Sequence, residues 1–455
     1  MSRSLINNVF STGIGPTGPY VDIQNVRNLT ITGQIIGPTG SQGGTGTFNS
    51  LSAQTFTGGT GTFNSLSAQT FTGGTGTFNS LSAQIKYENT AMVVVGGPGT
   101  NTILSSVDGL TWSAVSGTTF GTGNRGYHVY WNGSRWVAVG EGTNTILTSV
   151  DGLTWSTVSG TTFSTAGRTI GWNGSRWVAV GAGTNTVLTS VDGLTWSTVS
   201  GTTFSSSGSD VSWNGSRWVA VGAGTNTILT SIDGLVWSTV SGSTFSTAGI
   251  SVSWNGSRWA AVGLDSGANS ILTSADGLTW STVSGTTFGA GNRGYNLNWN
   301  GSRWVAVGTG TNTILTSVDG LTWSTVSGTT FSTAGSAVSW NGSRWVAVGA
   351  GTNTVLTSVD GLTWSTVSGT TFSSSGSDVS WNGYRWVAVG VGGSTLITSP
   401  DGLTWSTVSG TTFGGLGGNS IASKNIWKTP TPPTLQAVFD RLSIDFYSSI
   451  GIEPY

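Results

Sequence analysis

Short apolar runs recur along most of this chain, and each is closed by glycine, asparagine or aspartate. In one unit, Asp210-Val211-Ser212-Trp213 and Arg217-Trp218-Val219-Ala220-Val221 read as two strands, with β-branched and aromatic residues alternating with small ones. Asn226-Thr227-Ile228-Leu229-Thr230-Ser231 and Val236-Trp237-Ser238-Thr239-Val240 read as two more. Asn214-Gly215 after the first and Asp233-Gly234 between the third and fourth are tight-turn dipeptides, because glycine accepts positive φ. The spacing predicts four antiparallel strands in about 41 residues, the size of a propeller blade.

The unit repeats. A block W-N-G-x-R-W-x-A-V-G starts at Trp131, Trp172, Trp213, Trp254, Trp299, Trp340 and Trp381, and a degenerate copy at 87–96 precedes them. A second block, S-x-D-G-L-x-W, follows each copy, with its aspartate at Asp108, Asp151, Asp192, Asp233, Asp276, Asp319, Asp360 and Asp401. The first four aspartates recur 168 residues on, Asp108 as Asp276 and Asp151 as Asp319, so a four-unit block is duplicated whole. Eight copies of strands two to four predict an all-β propeller of about eight four-stranded blades. The segment 419–425 resembles a ninth first strand that replaces or flanks 85–89 and closes the ring. Seven blades plus a stray unit is the alternative.

The S-x-D-G-x-T-W motif resembles the Asp-box, or BNR, repeat of sialidase-like propellers, one residue shorter than its usual form and covering residues 85 to about 425. The resemblance implies the fold rather than an activity, since in that family the Asp-box lies away from the usual site. Each repeated Asp is expected to accept backbone N–H groups of its own turn, and its removal to cost about 1–3 kcal/mol per buried donor left unpaired. The Trp after it is expected to pack between blades. Seven equivalent arginines, Arg135, Arg176, Arg217, Arg258, Arg303, Arg344 and Arg385, are expected to stack on Trp or pair with the repeat Asp. A sialidase needs non-equivalent arginines, a Tyr–Glu pair and a further acid. With only Glu88, Glu141 and Glu453 in the chain, that chemistry is not visible in the sequence.

Composition narrows the classes. Only 7% of the 455 residues are charged, with 16 Lys and Arg against 17 Asp and Glu, so no basic excess points to nucleic acid. Cysteine is absent, which removes disulfides, thiolate nucleophiles and Cys-ligated zinc. No apolar run is long enough to span a membrane, and the N-terminal stretch lacks the apolar core of a signal peptide. Aromatics still reach 10%, including 23 Trp, so a large ordered core buries them. No metal or cofactor is expected. Candidate ligand-binding residues are those that break the repeat, assigned to the fourth-to-first connections and second-to-third loops of one face: Arg125, Tyr127, His128, Glu141, Arg168, Asp210, Asp265, Arg293, Tyr295 and Asp378. The lone His128 has no visible catalytic partner and reads as a loop residue. Two GNRGY loops, at 123–127 and 291–295, fall four blades apart.

Four regions follow: an N-terminal anchor with short collagen-like G-x-y runs (1–43), a stalk of 15-residue repeats (44–84), the propeller head (85–427), and a Pro-rich linker with an amphipathic helix (428–455). The stalk repeats Phe48-Asn49-Ser50-Leu51-Ser52-Ala53-Gln54 from Phe63 and from Phe78, and resembles the shaft repeats of viral and phage fibres, which are trimeric. A flexible Gly/Thr linker is the alternative. In the last region Leu435, Val438, Phe439, Leu442, Phe446 and Ile450 fall at helical spacing, between Thr434 and Gly451 as caps. The whole looks like surface proteins of giant DNA viruses and some phages. That resemblance implies a non-enzymatic homotrimeric fibre at the virion surface, held to other capsid proteins by its N-terminus and contacting a host glycan or protein. A purely architectural capsid component and a secreted, lectin-like adhesin outside the cell are the alternatives, and a glycosidase is the least supported.

Overall fold

The computed structural model describes residues 92–424, apart from 268, 415 and 416, together with strand backbones within 11–81. The chain divides into two units, of which Asn89–Pro432 is the head.

The head is a β-propeller, a succession of eight equivalent four-stranded blades. In the blade read from sequence the strands are Ser207–Trp213, Trp218–Ala223, Ile228–Ser231 and Val236–Thr239, paired antiparallel in that order. The first strands of successive blades stand beside one another in a closed circle and form the inner edge of every blade. Each second strand is buried on both faces. Trp136 and Ala138 pack with Val93, Val95 and Ile103 of the preceding blade, while Val137 and Val139 pack with Trp177, Ala179 and Leu188 of the following one. Period-two alternation in a strand with no solvent face explains why its residues are almost all apolar. The Trp of each S-x-D-G-L-x-W block joins the same seams and is at most 2% exposed.

Two seals close the ring. Gly418–Ser423 takes the first-strand place beside Met92–Gly96, pairing Ser423 with Met92 and Ile421 with Val94, so the first blade is built from both ends of the head. The expected strand at 85–89 lies outside the described residues. At the outer edge, Ser409–Gly410 of the last blade pairs in parallel with Thr111 and Trp112 of the first. The same outer clasp links every blade to the next, as Ser200–Gly201 does to Val236 and Trp237. The sequence pattern gave no hint of this fifth, two-residue strand. Its glycine is dictated by space: Gly201 has φ +81°, and a Cβ there would stand 2.2 Å from the carbonyl oxygen of Trp237.

Register separates the two ends of the ring. Trp218 pairs with Trp213 and with Ser231, which puts the Asn-Gly hairpin and the aspartate turn together at one end. The second-to-third loops and the starts of the first strands lie at the other. Met92 and Ser423, where the head begins and closes, both fall at the aspartate-turn end.

In the N-terminal unit Thr45–Thr57, Thr60–Thr72 and Thr75–Leu81 pair in parallel, each paired residue opposite its equivalent one repeat later. Thr60 is therefore about 5 Å from Thr45, yet three chain steps, at most about 11 Å, separate it from Thr57. A straight thirteen-residue strand would span about 40 Å, so each repeat is bent into one coil and successive coils stack within a single chain. At Gly15-Pro16-Thr17-Gly18, read as collagen-like, the backbone instead forms an antiparallel pair, Ser11–Gly15 with Gly18–Asp22. Proline followed by glycine two residues on suits a chain reversal as readily as a G-x-y run. The second such run, at 37–43, and the helix expected within 434–451 lie outside the described residues.

Because the closing seam repeats the packing of the others, with Ile421 in the place of Ile170, Ile421→Ala should lower stability by about 2–4 kcal/mol. Urea denaturation should show the same loss for Ile170→Ala, at an uninterrupted seam; a markedly smaller loss at Ile421 would mean that the ring does not close through this strand.

Candidate functional site

The aspartate turns are built as the residues suggest. Asp192 Oδ1 accepts the N–H groups of Leu194 and Thr195 at 2.8 and 2.9 Å and the Ser190 hydroxyl at 2.9 Å. Burial works to raise the carboxyl, but these donors outweigh it and hold Asp192 below the ordinary carboxylate range. The same net lowering recurs at Asp108, Asp151, Asp233, Asp276, Asp319, Asp360 and Asp401. The backbone donors are exposed rather than buried, so the cost of losing the carboxylate is smaller than the sequence reading allowed. The repeat arginines neither stack on Trp nor pair with these aspartates among the described residues. Arg135 donates from Nη1 to Thr148 Oγ1 at 3.2 Å and lays its Cδ against Gly193 in the next blade's turn. Glycine leaves the space that the arginine stem fills, which is why the head group stops at the threonine.

Sequence reasoning assigned the repeat-breaking residues to connections, although it read Asp210 at the head of a first strand; Asp210 does lie there, and so do Tyr127, His128, Arg168, Tyr295 and Asp378. Those strands begin early because a glycine at the first or second position of each lies against the preceding blade: a Cβ on Gly208 would stand 2.5 Å from Val180 Cβ. A bulge follows the glycine in every blade, displacing residues such as Tyr127 and Arg168 from the ladder.

Two residues after that glycine, every second blade carries a hydrogen-bond acceptor. His128 Nδ1 accepts Ile170 N–H at 3.4 Å, and Asn296 Oδ1 accepts Val338 N–H at 3.2 Å. Asp210 accepts Val211 N–H on Oδ1 at 2.8 Å, and Val252 N–H and the Ser251 hydroxyl on Oδ2, both at 3.0 Å. Asp378 does the same with Val379 and Ile421 N–H. This belt satisfies inner-edge donors that no further strand reaches. Burial is the main influence on both aspartates and, despite those donors, pushes each up to about 6. The sequence does contain the signal, as Gly126-x-His128, Gly208-x-Asp210, Gly294-x-Asn296 and Gly376-x-Asp378. Asp265, almost fully buried, ties its second-to-third loop to the connection that leads into the same blade, accepting Ser246 N–H at 2.9 Å and Asn269 N–H at 3.1 Å.

Arg125, Tyr127, Glu141 and Arg168 form one cluster, at the end opposite the aspartate turns. Tyr127 donates its hydroxyl to Glu141 Oε2 at 2.7 Å, and Arg168, from the next blade, places its guanidinium carbon 4.4 Å over the Tyr127 ring. Arg125 is near enough to act on the phenol electrostatically. Burial and the Glu141 hydrogen bond hold the Tyr127 phenol above its ordinary range, against the opposing pull of Arg168. A Tyr–Glu pair, absent from the sequence reading, is thus present. Arg293 and Tyr295 occupy the equivalent places four blades away, where Glu141 and Arg168 are replaced by Thr309 and Ser336. His128, Asp210, Asp265 and Asp378 do not join the cluster. Among the described residues no group of three or more His, Asp or Glu is placed to hold a metal ion, and no helix is long and apolar enough to cross a membrane.

Comparison with known proteins gives the fold alone. No protein-family model matches the chain, and no curated protein matches it in sequence. Among solved structures, the computationally designed Ika8 protein is similar with a TM-score of 0.53 at 15% identity, over 68% of this chain and 95% of that one. The WD40 β-propeller domain of Doa1 is similar over 61% of this chain and 90% of that one, at 11% identity and TM-score 0.43. YCF48 bound to D1 peptide is similar over 53% and 82%, at 18% identity and TM-score 0.38.

Two outcomes follow for the carboxylates. Asp192→Ala should cost about 1 kcal/mol, read as a shift in the urea midpoint at unchanged slope. For Asp210 and Asp378 the folded value lies above the unfolded one, so the stability they contribute is full below the unfolded value and lost as pH rises through about 6. Thermal unfolding from pH 4 to 7 should therefore show wild type gaining on the Asp210→Asn, Asp378→Asn double variant as pH falls, by at most about 3 kcal/mol per carboxylate. Parallel curves would remove the carboxylates from the pH response.

Proposed function

We propose that this chain is a non-enzymatic fibre or surface protein of a virion, its propeller head attaching to a host-surface glycan or protein. The observation that carries this reading is the divergence of the repeat at one end of the head: the aspartate turns recur in all eight blades, while the opposite end holds the single Arg125, Tyr127, Glu141 and Arg168 cluster. The Asp-box-like repeat and the 15-residue stalk repeat add support by their resemblance to viral and phage proteins. In this reading residues 1–43 anchor the chain among other capsid proteins and 44–84 bring three chains together.

The Tyr127–Glu141 pair favours one competing reading, a glycosidase with a tyrosine nucleophile. The phenol donates to Glu141 as a base-activated nucleophile would, but no second carboxylate joins the cluster among the described residues to serve as the general acid, so the pair is read as a binding feature. The full chain is expected to retain a defined subset of glycans or surface proteins on printed arrays and to leave a fluorogenic sialoside intact. Turnover lost in Tyr127→Phe would establish the hydrolase instead, and silence on every array would leave the architectural role. Light scattering should give the mass of three chains; a monomer would remove the stalk's part in the proposal.

A further inference from the structure

We infer that the head holds one oxyanion-binding site per chain, formed by the guanidinium groups of Arg125 and Arg168 around Tyr127, and that this site takes an anionic saccharide. The inference rests on the attachment reading only for the choice of a saccharide.

Arg168 is exposed, and its place over the Tyr127 ring holds its head group there without using an N–H donor. Among the described residues its head group makes no hydrogen bond or ion pair, and neither does that of Arg125. Glu141 is the sole glutamate of the described head and the natural candidate to neutralise them. It instead accepts the Tyr127 hydroxyl and so holds the ring on which Arg168 rests. The cluster is left with two cations to one carboxylate, and the N–H donors of the exposed Arg168 remain for a ligand, a donor set that carboxylate and sulfate oxygens fit.

The internal duplication supplies a control within the molecule. The second GNRGY loop repeats the backbone: Thr309 donates its N–H to the Arg293 carbonyl at 2.8 Å, as Glu141 does to Arg125, and each bridges to the alanine opening the next blade. It lacks the acid that orients the tyrosine and the arginine that stacks on it. The twin is therefore an empty copy, and the site is single despite two similar halves. A saccharide suits the rest of the mouth, where four other first strands carry Ser209, Ser336, Ser377 and Asn419 at the bulge, neutral hydroxyl and amide groups that pair with sugar hydroxyls.

Calorimetric titration of the full chain at low salt tests this, using a heparin-derived hexasaccharide for sulfate and a hexagalacturonate for carboxylate alone. One equivalent per chain should bind in at least one arm, and Arg168→Ala should weaken it at least tenfold without moving the unfolding midpoint. The double variant Thr309→Glu, Ser336→Arg should raise the count to two. Unaltered affinity in Arg168→Ala, a count of two in wild type, or a count that stays at one in the double variant would overturn the assignment. A hexaglutamate peptide bound as tightly through Arg168 would overturn the saccharide. Saccharide binding that leaves the array silent for cell-surface molecules would sink the attachment reading while leaving this site standing.

Discussion

The structure depends on a strand that has no outside. Because Trp136, Val137, Ala138 and Val139 send alternate side chains into two different neighbours, a single blade exposes two apolar faces and has no fold of its own. Stability therefore resides in seams rather than in blades, and any unmatched seam would leave a face of tryptophan and valine in water. Closure by Gly418–Ser423 follows from that requirement. The strand completes the first blade and brings Val94, Leu104 and Trp112 against Val387, Val389 and Leu396 at the last seam.

This division of labour decides where chemistry can sit. With the seams dominated by apolar groups and the buried third-strand threonines, such as Thr148, donating to backbone carbonyls, the remaining polar side chains lie at the turns, the inner edge and the two ends. The aspartate turns use their carboxylates locally and repeat without variation, whereas the opposite end is where the copies diverge. Even there, divergence takes two forms: acceptors that hold neighbouring first strands together, and the Arg–Tyr–Glu group, whose two arginines have no ion-pair partner among the described residues.

Much of the fold was legible because the repeat averages out local ambiguity. Eight copies of one strand pattern place every turn, and Asn-Gly and Asp-Gly fall where the hairpins are. The outer clasp was hidden because Val-Ser-Gly-Thr has no strand signature; its pairing is set by the neighbouring blade. The inner strands looked shorter than they are because Ser207-Gly208-Ser209 is polar and flexible in isolation and becomes strand only against Gly222 and Ala223. The candidate residues were found by asking which positions break the repeat. That question could not separate Asp210 from Arg168, since partners 41 or 42 residues away appear only once the blades stand side by side. The arginine ring failed for a related reason: Arg135 is governed by Gly193, a residue of another blade.

The inner belt has a consequence for how such a ring can change size. Its acceptors occupy alternate blades, so an odd number of blades would set two acceptor-bearing strands, or two that lack them, side by side at one seam. A lineage built on this pattern gains or loses blades in pairs. The parity of the ring is written in four residues, His128, Asp210, Asn296 and Asp378, and a seven-bladed relative would have to surrender that rule first.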